Sequence, residues 1–210
     1  MGANAQTSVP AFTSGQVLTA AQVTQINTGI PVFASSTERD AAFGGSGEKT
    51  LAEGQMAYLE DTNSIEFYNG ASWKLIYRPR TAFTPTWANL TVGNATVQAF
   101  YSISGDMMTV ELDFVWGSTT SVSGTVTQGL PSGFQAITSD RLPCAIVEYR
   151  DTGTANYTGS VFANTDGLQF FTETVNATYP VKVAFSGSVP FSWTTSDEIR
   201  YIATFNWQAV

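Results

Sequence analysis

Beyond residue 94 the chain reads as short runs of alternating apolar and polar positions, broken by turn residues at roughly eight- to twelve-residue spacing. The last run is the clearest. Ile199, Tyr201, Ala203, Phe205 and Trp207 share one face, and Arg200, Ile202, Thr204 and Asn206 share the other. A period of two puts alternate side chains on opposite faces of a strand. The same reading predicts strands over 95–103, 107–116, 124–128, 142–150, 156–163, 167–171 and 181–188. Many short strands without a helical period predict a mainly β fold, with an antiparallel β-sandwich of jelly-roll-like type over 81–210.

The first eighty residues read differently. Residues 1–11 are small, polar and unpatterned, as in a flexible lead. Thr19 with Gln22 forms a capping box for a short helix over 20–27, and Leu18, Val23 and Ile26 give it a narrow apolar stripe. Pro31 forbids its continuation. A helix of two turns needs a larger surface to lie on. Ser35 with Glu38 opens a second short helix reaching Phe43, which Gly44-Gly45-Ser46-Gly47 ends as a flexible connector. Met56–Leu59, Ser64–Tyr68 and Ser72–Ile76 then predict a three-stranded meander, with Asn69-Gly70 as a hairpin turn. Arg78-Pro79-Arg80-Thr81 marks a boundary. The expected organisation is a docking segment over 1–34, a helix and meander over 35–80, and the sandwich over 81–210.

Charge narrows the functional classes. Charged residues make up 12% of the chain and the net charge is −8. Phosphate binding needs clustered Lys and Arg, so a nucleic-acid partner is not expected. No apolar run is long enough for a membrane helix, so no membrane insertion is expected either. The N-terminus carries no basic start followed by an apolar block, so folding in a cytosol is expected. Few surface charges on a sandwich invite edge pairing and aggregation, and burial between identical subunits removes that risk.

The chain has no histidine, so a Ser-His-Asp or Cys-His pair is not available within it. Cys144, the one cysteine, sits in the apolar run 142–146 and reads as a core residue. Glu111 and Asp113 alternate on one strand face, the pattern of a solvated strand as much as of a carboxylate pair. Asp197-Glu198 and Glu60-Asp61 are adjacent acids that point apart on an extended chain. No catalytic residue, cofactor or metal is expected. The chain reads as a non-enzyme.

Aromatic side chains remain. Trp116, Tyr149, Tyr157 and Trp193 fall at or near strand ends and loops, where a ring can stack on a sugar. They are the candidate glycan contacts, with core packing the plainer account of each.

Three segments carry a resemblance. Phe12-Thr13-Ser14-Gly15-Gln16-Val17-Leu18-Thr19-Ala20-Ala21-Gln22-Val23 is similar to the N-terminal openings of phage minor tail and fibre proteins. The stretch from Ser36-Thr37-Glu38-Arg39-Asp40 through Gly54-Gln55-Met56-Ala57-Tyr58-Leu59 to Asn69-Gly70-Ala71-Ser72-Trp73 resembles a small module of phage tail and head-appendage proteins. Phe114-Val115-Trp116-Gly117-Ser118, with Leu130-Pro131 after it, resembles distal sandwich domains of tail fibres. The resemblance implies a virion component assembled in the host cytoplasm, a homotrimer whose partners are other proteins of the tail, baseplate or capsid. It implies docking through the N-terminus, with Phe12, Val17, Leu18, Val23, Ile26 and Ile30 as candidate contacts. A host cell-surface glycan is a further implied partner. A capsid decoration protein or head fibre, and a carbohydrate-binding module without assembly role, are the alternatives. The chain departs from long fibres in having no coiled-coil or repetitive shaft.

Overall fold

The computed structural model describes residues 5–26, 29–176 and 179–210, with the side chains at 25, 26, 175 and 176 also outside the description. The fold is mainly β, and the chain divides into two compact units, Met1–Pro79 and Arg80–Val210.

The first unit holds two short helices, α1 (Ala20–Ile26) and α2 (Ser36–Ala41), and strands β1 (Val32–Phe33), β2 (Met56–Leu59), β3 (Ser64–Tyr68) and most of β4 (Trp73–Ala82). The meander forms as β2-β3-β4, and β1 adds to it in parallel through Val32–Tyr58 and Phe33–Leu59. Ser35 caps α2, its hydroxyl accepting from the Glu38 N–H at 3.3 Å. The expected two-residue turn at Asn69-Gly70 is a longer loop. Tyr68 pairs with Trp73, Gly70 takes φ +90°, and the Asn69 side chain accepts from the N–H groups of Ala71 and Ser72.

Two expectations need correction in this unit. Described residues of the supposed flexible lead are built into the fold. Gln6 N–H donates to Val32 O, Val9 N–H to Ala42 O, and Lys49 N–H to Val9 O. Val9 joins Phe33, Ala42, Ala57 and Leu59 in one core, with Phe43 and Trp73 packed against it. The alternation around residue 9 is too short to be seen as a strand, yet its backbone groups find partners. The glycine run is likewise a closed turn. Gly44 N–H donates to Lys49 O, and Glu48 folds back so that its carboxylate accepts from Gly45 N–H at 2.8 Å. Over the core lies Arg39, buried, ion-paired with Glu66 and placed 4.5 Å over the Trp73 ring. Burial pushes the Glu66 carboxyl upward, against the pull of Arg39.

The second unit contains β5 (Trp87–Thr91), β6 (Thr96–Ser104), β7 (Met107–Val115), β8 (Ser121–Gln128), β9 (Phe134–Ala136), β10 (Leu142–Asp151), β11 (Ala155–Asn164), β12 (Gly167–Asn176), β13 (Tyr179–Ala184) and β14 (Glu198–Ala209). Its main path runs β6-β7-β14-β10-β11-β12-β8-β5, with β13 on β12 and β9 on β14. All of these pairs are antiparallel. The sheet curls so that its two halves face each other in a sandwich-like arrangement. Trp87 of β5 meets Phe114 of β7 at 5.6 Å, and Phe170 of β12 meets Tyr201 of β14 at 5.6 Å. Tyr201 donates to Gln128 Oε1 at 2.6 Å across the same interior. Apolar residues at alternate positions fill the space. Val110, Leu112 and Phe114 of β7 and Ile199, Tyr201, Ala203 and Phe205 of β14 are all buried. Close approach within this core requires glycine at 159, where a Cβ would strike Phe171 O and the Tyr149 ring.

Candidate functional site

Three places gather the side chains that sequence reading singled out. The first is the segment around α1. Thr19 and Gln22 form the expected capping box: Thr19 N–H donates to Gln22 Oε1 at 3.0 Å, and Gln22 N–H to Thr19 Oγ1 at 3.2 Å. Before it, a turn closes with Gln16 N–H on Thr13 O at 3.1 Å. The helix is thus locally satisfied, but its chain does not cover it. From Ala11 to Thr24 every residue except Gln22 is exposed. Val17 is 87% exposed, and Phe12, Leu18 and Val23 are exposed as well. Ile30 is half-buried, and the Ile26 side chain lies outside the described residues. Phe12 also borders an open hollow of about 380 Å³ lined by Val9, Pro10, Pro31 and Lys49. Phe33, the inner end of the expected docking stretch, is fully buried in the core of its unit and is not available to a partner.

The second place is an aromatic cluster at one end of the sandwich. Trp116 stacks on Trp193 at 4.8 Å, Trp193 meets Phe191 at 4.3 Å, and Phe191 meets Tyr157 at 5.2 Å. Beneath them Tyr149 stacks on Phe185 at 5.7 Å. Two of the four candidate glycan contacts are therefore corrected. Tyr149 is 0% exposed and Trp116 4% exposed, so neither has a free face to offer a sugar. Tyr149 lies on the inward face of β10 with Val147, and Trp116 follows the last residue of β7 and continues its inward series from Phe114. Tyr157 is exposed and Trp193 half-buried, its indole N–H donating to Ser186 O at 3.2 Å. Phe191, which joins them, is not among the four sequence candidates. Its spacing of two from Trp193 was the available signal.

The third place is the outer face of β6, β7, β14 and β10. Glu111 and Asp113 point outward there, but each is engaged by an arginine. Arg80 donates to Glu111 at 2.8 Å and stacks on the Phe100 ring, and Arg200 donates to Asp113 at 3.2 Å. Glu198 receives both Arg200 at 3.0 Å and Arg150 at 3.3 Å. This is a charge-paired surface. A general acid or base needs a carboxyl free to exchange its proton with a substrate.

Asp197 is a separate case. It is fully buried, and its carboxylate accepts from Thr194 N–H at 2.6 Å, Thr194 Oγ1 at 3.1 Å and Thr152 N–H at 2.9 Å. These donors occupy the lone pairs a cation would need. Among the described residues no group of three or more Asp, Glu or Cys side chains is placed to hold a metal ion. Cys144 is half-buried and its thiol donates weakly to Val161 O at 3.4 Å. Burial pushes that thiol up to about 12, which keeps it in the unreactive neutral form at physiological pH. No described helix is long and apolar enough to cross a membrane.

Comparison with protein-family models, with curated proteins and with solved structures finds no match to this chain.

Proposed function

We propose that the chain is a structural component of a phage virion, a trimeric tail or baseplate appendage docked by the segment around α1, with the sandwich turned outward. The reading rests on four exposed apolar side chains, Phe12, Val17 and Leu18 in the stretch leading into α1 and Val23 on the helix itself. Seven residues of helix do not hold their shape in water for long. A capped helix with a bare valine, led in by an exposed valine and leucine, is what a docking peptide presents to a groove on a larger body. The pairing of Glu111 with Arg80 and of Asp113 with Arg200 agrees with a structural role, and the resemblance of residues 12–23 to virion-protein openings supplies the kind of body.

The test is incorporation. Val17→Ser, Leu18→Ser and Val23→Ser together leave both cores untouched, so the circular-dichroism spectrum and melting curve should match those of the parent. Mass spectrometry of purified particles should then find the variant depleted at least about tenfold, since three lost apolar anchors weaken a docked peptide by that much or more. Undiminished incorporation would overturn the docking role.

A further inference from the structure

The outer face of the second unit carries an apolar centre that the fold does not explain. Val147 pairs with Tyr201, and both point inward. The ladder ends at this pair, and the next residue beyond it on each strand is an isoleucine, Ile146 of β10 and Ile202 of β14, both exposed. Ile146 is 75% exposed and Ile202 66% exposed. Two β-branched side chains thus stand bare in mid-sheet, away from any edge. Their register neighbours are Ser160 on one side and Glu111 on the other.

Around this centre the charges are arranged in pairs. The second unit has ten acidic and five basic residues. Three of those five, Arg80, Arg150 and Arg200, lie on this one face, each bonded to a carboxylate. An apolar centre inside a polar rim containing arginine is the anatomy of a protein–protein interface. The sign of the charge selects the partner. On an acidic unit this is the nearly neutral region, so here two like-charged copies approach with least repulsion. Residues near a symmetry axis meet their own counterparts. Isoleucines do so without penalty, and the paired arginines and acids off the axis find opposite charges on the neighbour.

The geometry points to this face, centred on Ile146 and Ile202, as the surface through which copies of the chain associate. The inference deepens the trimeric reading but does not depend on the docking segment.

Sedimentation of the full chain over a dilution series tests it. The parent should be an oligomer. Ile146→Asp with Ile202→Asp should raise its dissociation constant about 100-fold or more, because a buried carboxylate replaces each apolar anchor. Tyr179→Asp, on an exposed tyrosine outside this face, should leave association unchanged. Ile146→Thr with Ile202→Thr keeps β-branching and decides the matter if the aspartates disturb folding; it should weaken association about tenfold. A parent that stays monomeric at every concentration, or an oligomer indifferent to both pairs, would overturn the interface. Either result would leave the docking role standing, since that is read by particle incorporation.

Discussion

At Cys144, Tyr149 and Tyr201 the same cause acts on three ionisable groups. Burial pushes the Cys144 thiol up to about 12 and raises the hydroxyls of Tyr149 and Tyr201 above their ordinary range; the hydrogen bond to Gln128 only partly offsets this at Tyr201. Each group favours its neutral form in the folded chain, while the unfolded chain ionises at ordinary values. The folded state therefore binds more protons in the alkaline range, and stability must fall as pH rises there. The contribution is complete below the unfolded thiol value of about 8.5 and is lost progressively toward the folded value. The melting temperature should decline from about pH 9 upward. Cys144→Ala should remove the earliest part of the decline and leave the tyrosine part above about pH 10. A melting curve flat from neutral pH to about pH 11 would contradict the burial of these groups. The apolar run 142–146 suggests a core thiol at Cys144, yet Cys144 is half-buried and Leu142 and Ile146 of the same run are exposed. Sequence did not make Asp197 legible, because a buried aspartate held by Thr194 and Thr152 looks like any acid beside a turn until the donors are in place.

Elements were legible in proportion to the length and purity of their pattern. β14 matched its expected start at Glu198, and the alternation that revealed it is the alternation that fills the core. Both helix caps were read from single residue pairs. Two strands of the second unit were missed for local reasons. β5 is interrupted at Asn89, which takes φ +60° in a bulge and sends its side-chain N–H to Thr125 O. β9 has three residues, too few to show a period. β4 runs on past its expected end at Ile76 and through Pro79, while the division between the two units falls at Pro79–Arg80, within the stretch that proline and two arginines mark. β13 shows what a proline can do inside a strand. Phe185 N–H donates to Phe170 O, and hydrogen-bonded pairs alternate with open ones along the ladder. By register, Glu173–Lys182 and Val175–Pro180 are open pairs. The backbone groups of Lys182 and Pro180 therefore face away from β12, along an edge with no strand beyond it among the described residues. Proline offers no N–H there, and lysine adds a charge; both blunt pairing with another chain. Pro180→Val with Lys182→Val should leave the fold intact and turn the chain aggregation-prone, seen as rising light scattering on incubation. Unchanged scattering would mean the edge is protected by something else.

At the scale of the whole molecule the last strand holds the second unit together. β14 lies between β7 and β10, pairing with β7 from Glu198–Val115 to Asn206–Met107 and with β10 from Val147–Tyr201 to Arg150–Glu198. Everything from β8 to β13 intervenes in sequence between β7 and this strand. Its four inward side chains, Ile199, Tyr201, Ala203 and Phe205, are all buried, and each larger one is worth about 2 kcal/mol of apolar burial. Losing the strand would also unpair two ladders in mid-sheet. Together these losses are comparable to the whole stability of a domain of this size, about 5–15 kcal/mol. The sheet therefore cannot close until the final residues are available, and pairing at such separations is slow. A chain truncated after Asp197 should lose the β-sheet signal and cooperative melting of the second unit, while the first unit, complete by residue 79, keeps the environment of Trp73. A peptide spanning 198–210, added to the truncated chain, should restore the lost transition if the remaining strands are held ready to receive it. Cooperative unfolding of the truncated chain at the parent's temperature would mean that the sandwich closes without its central strand.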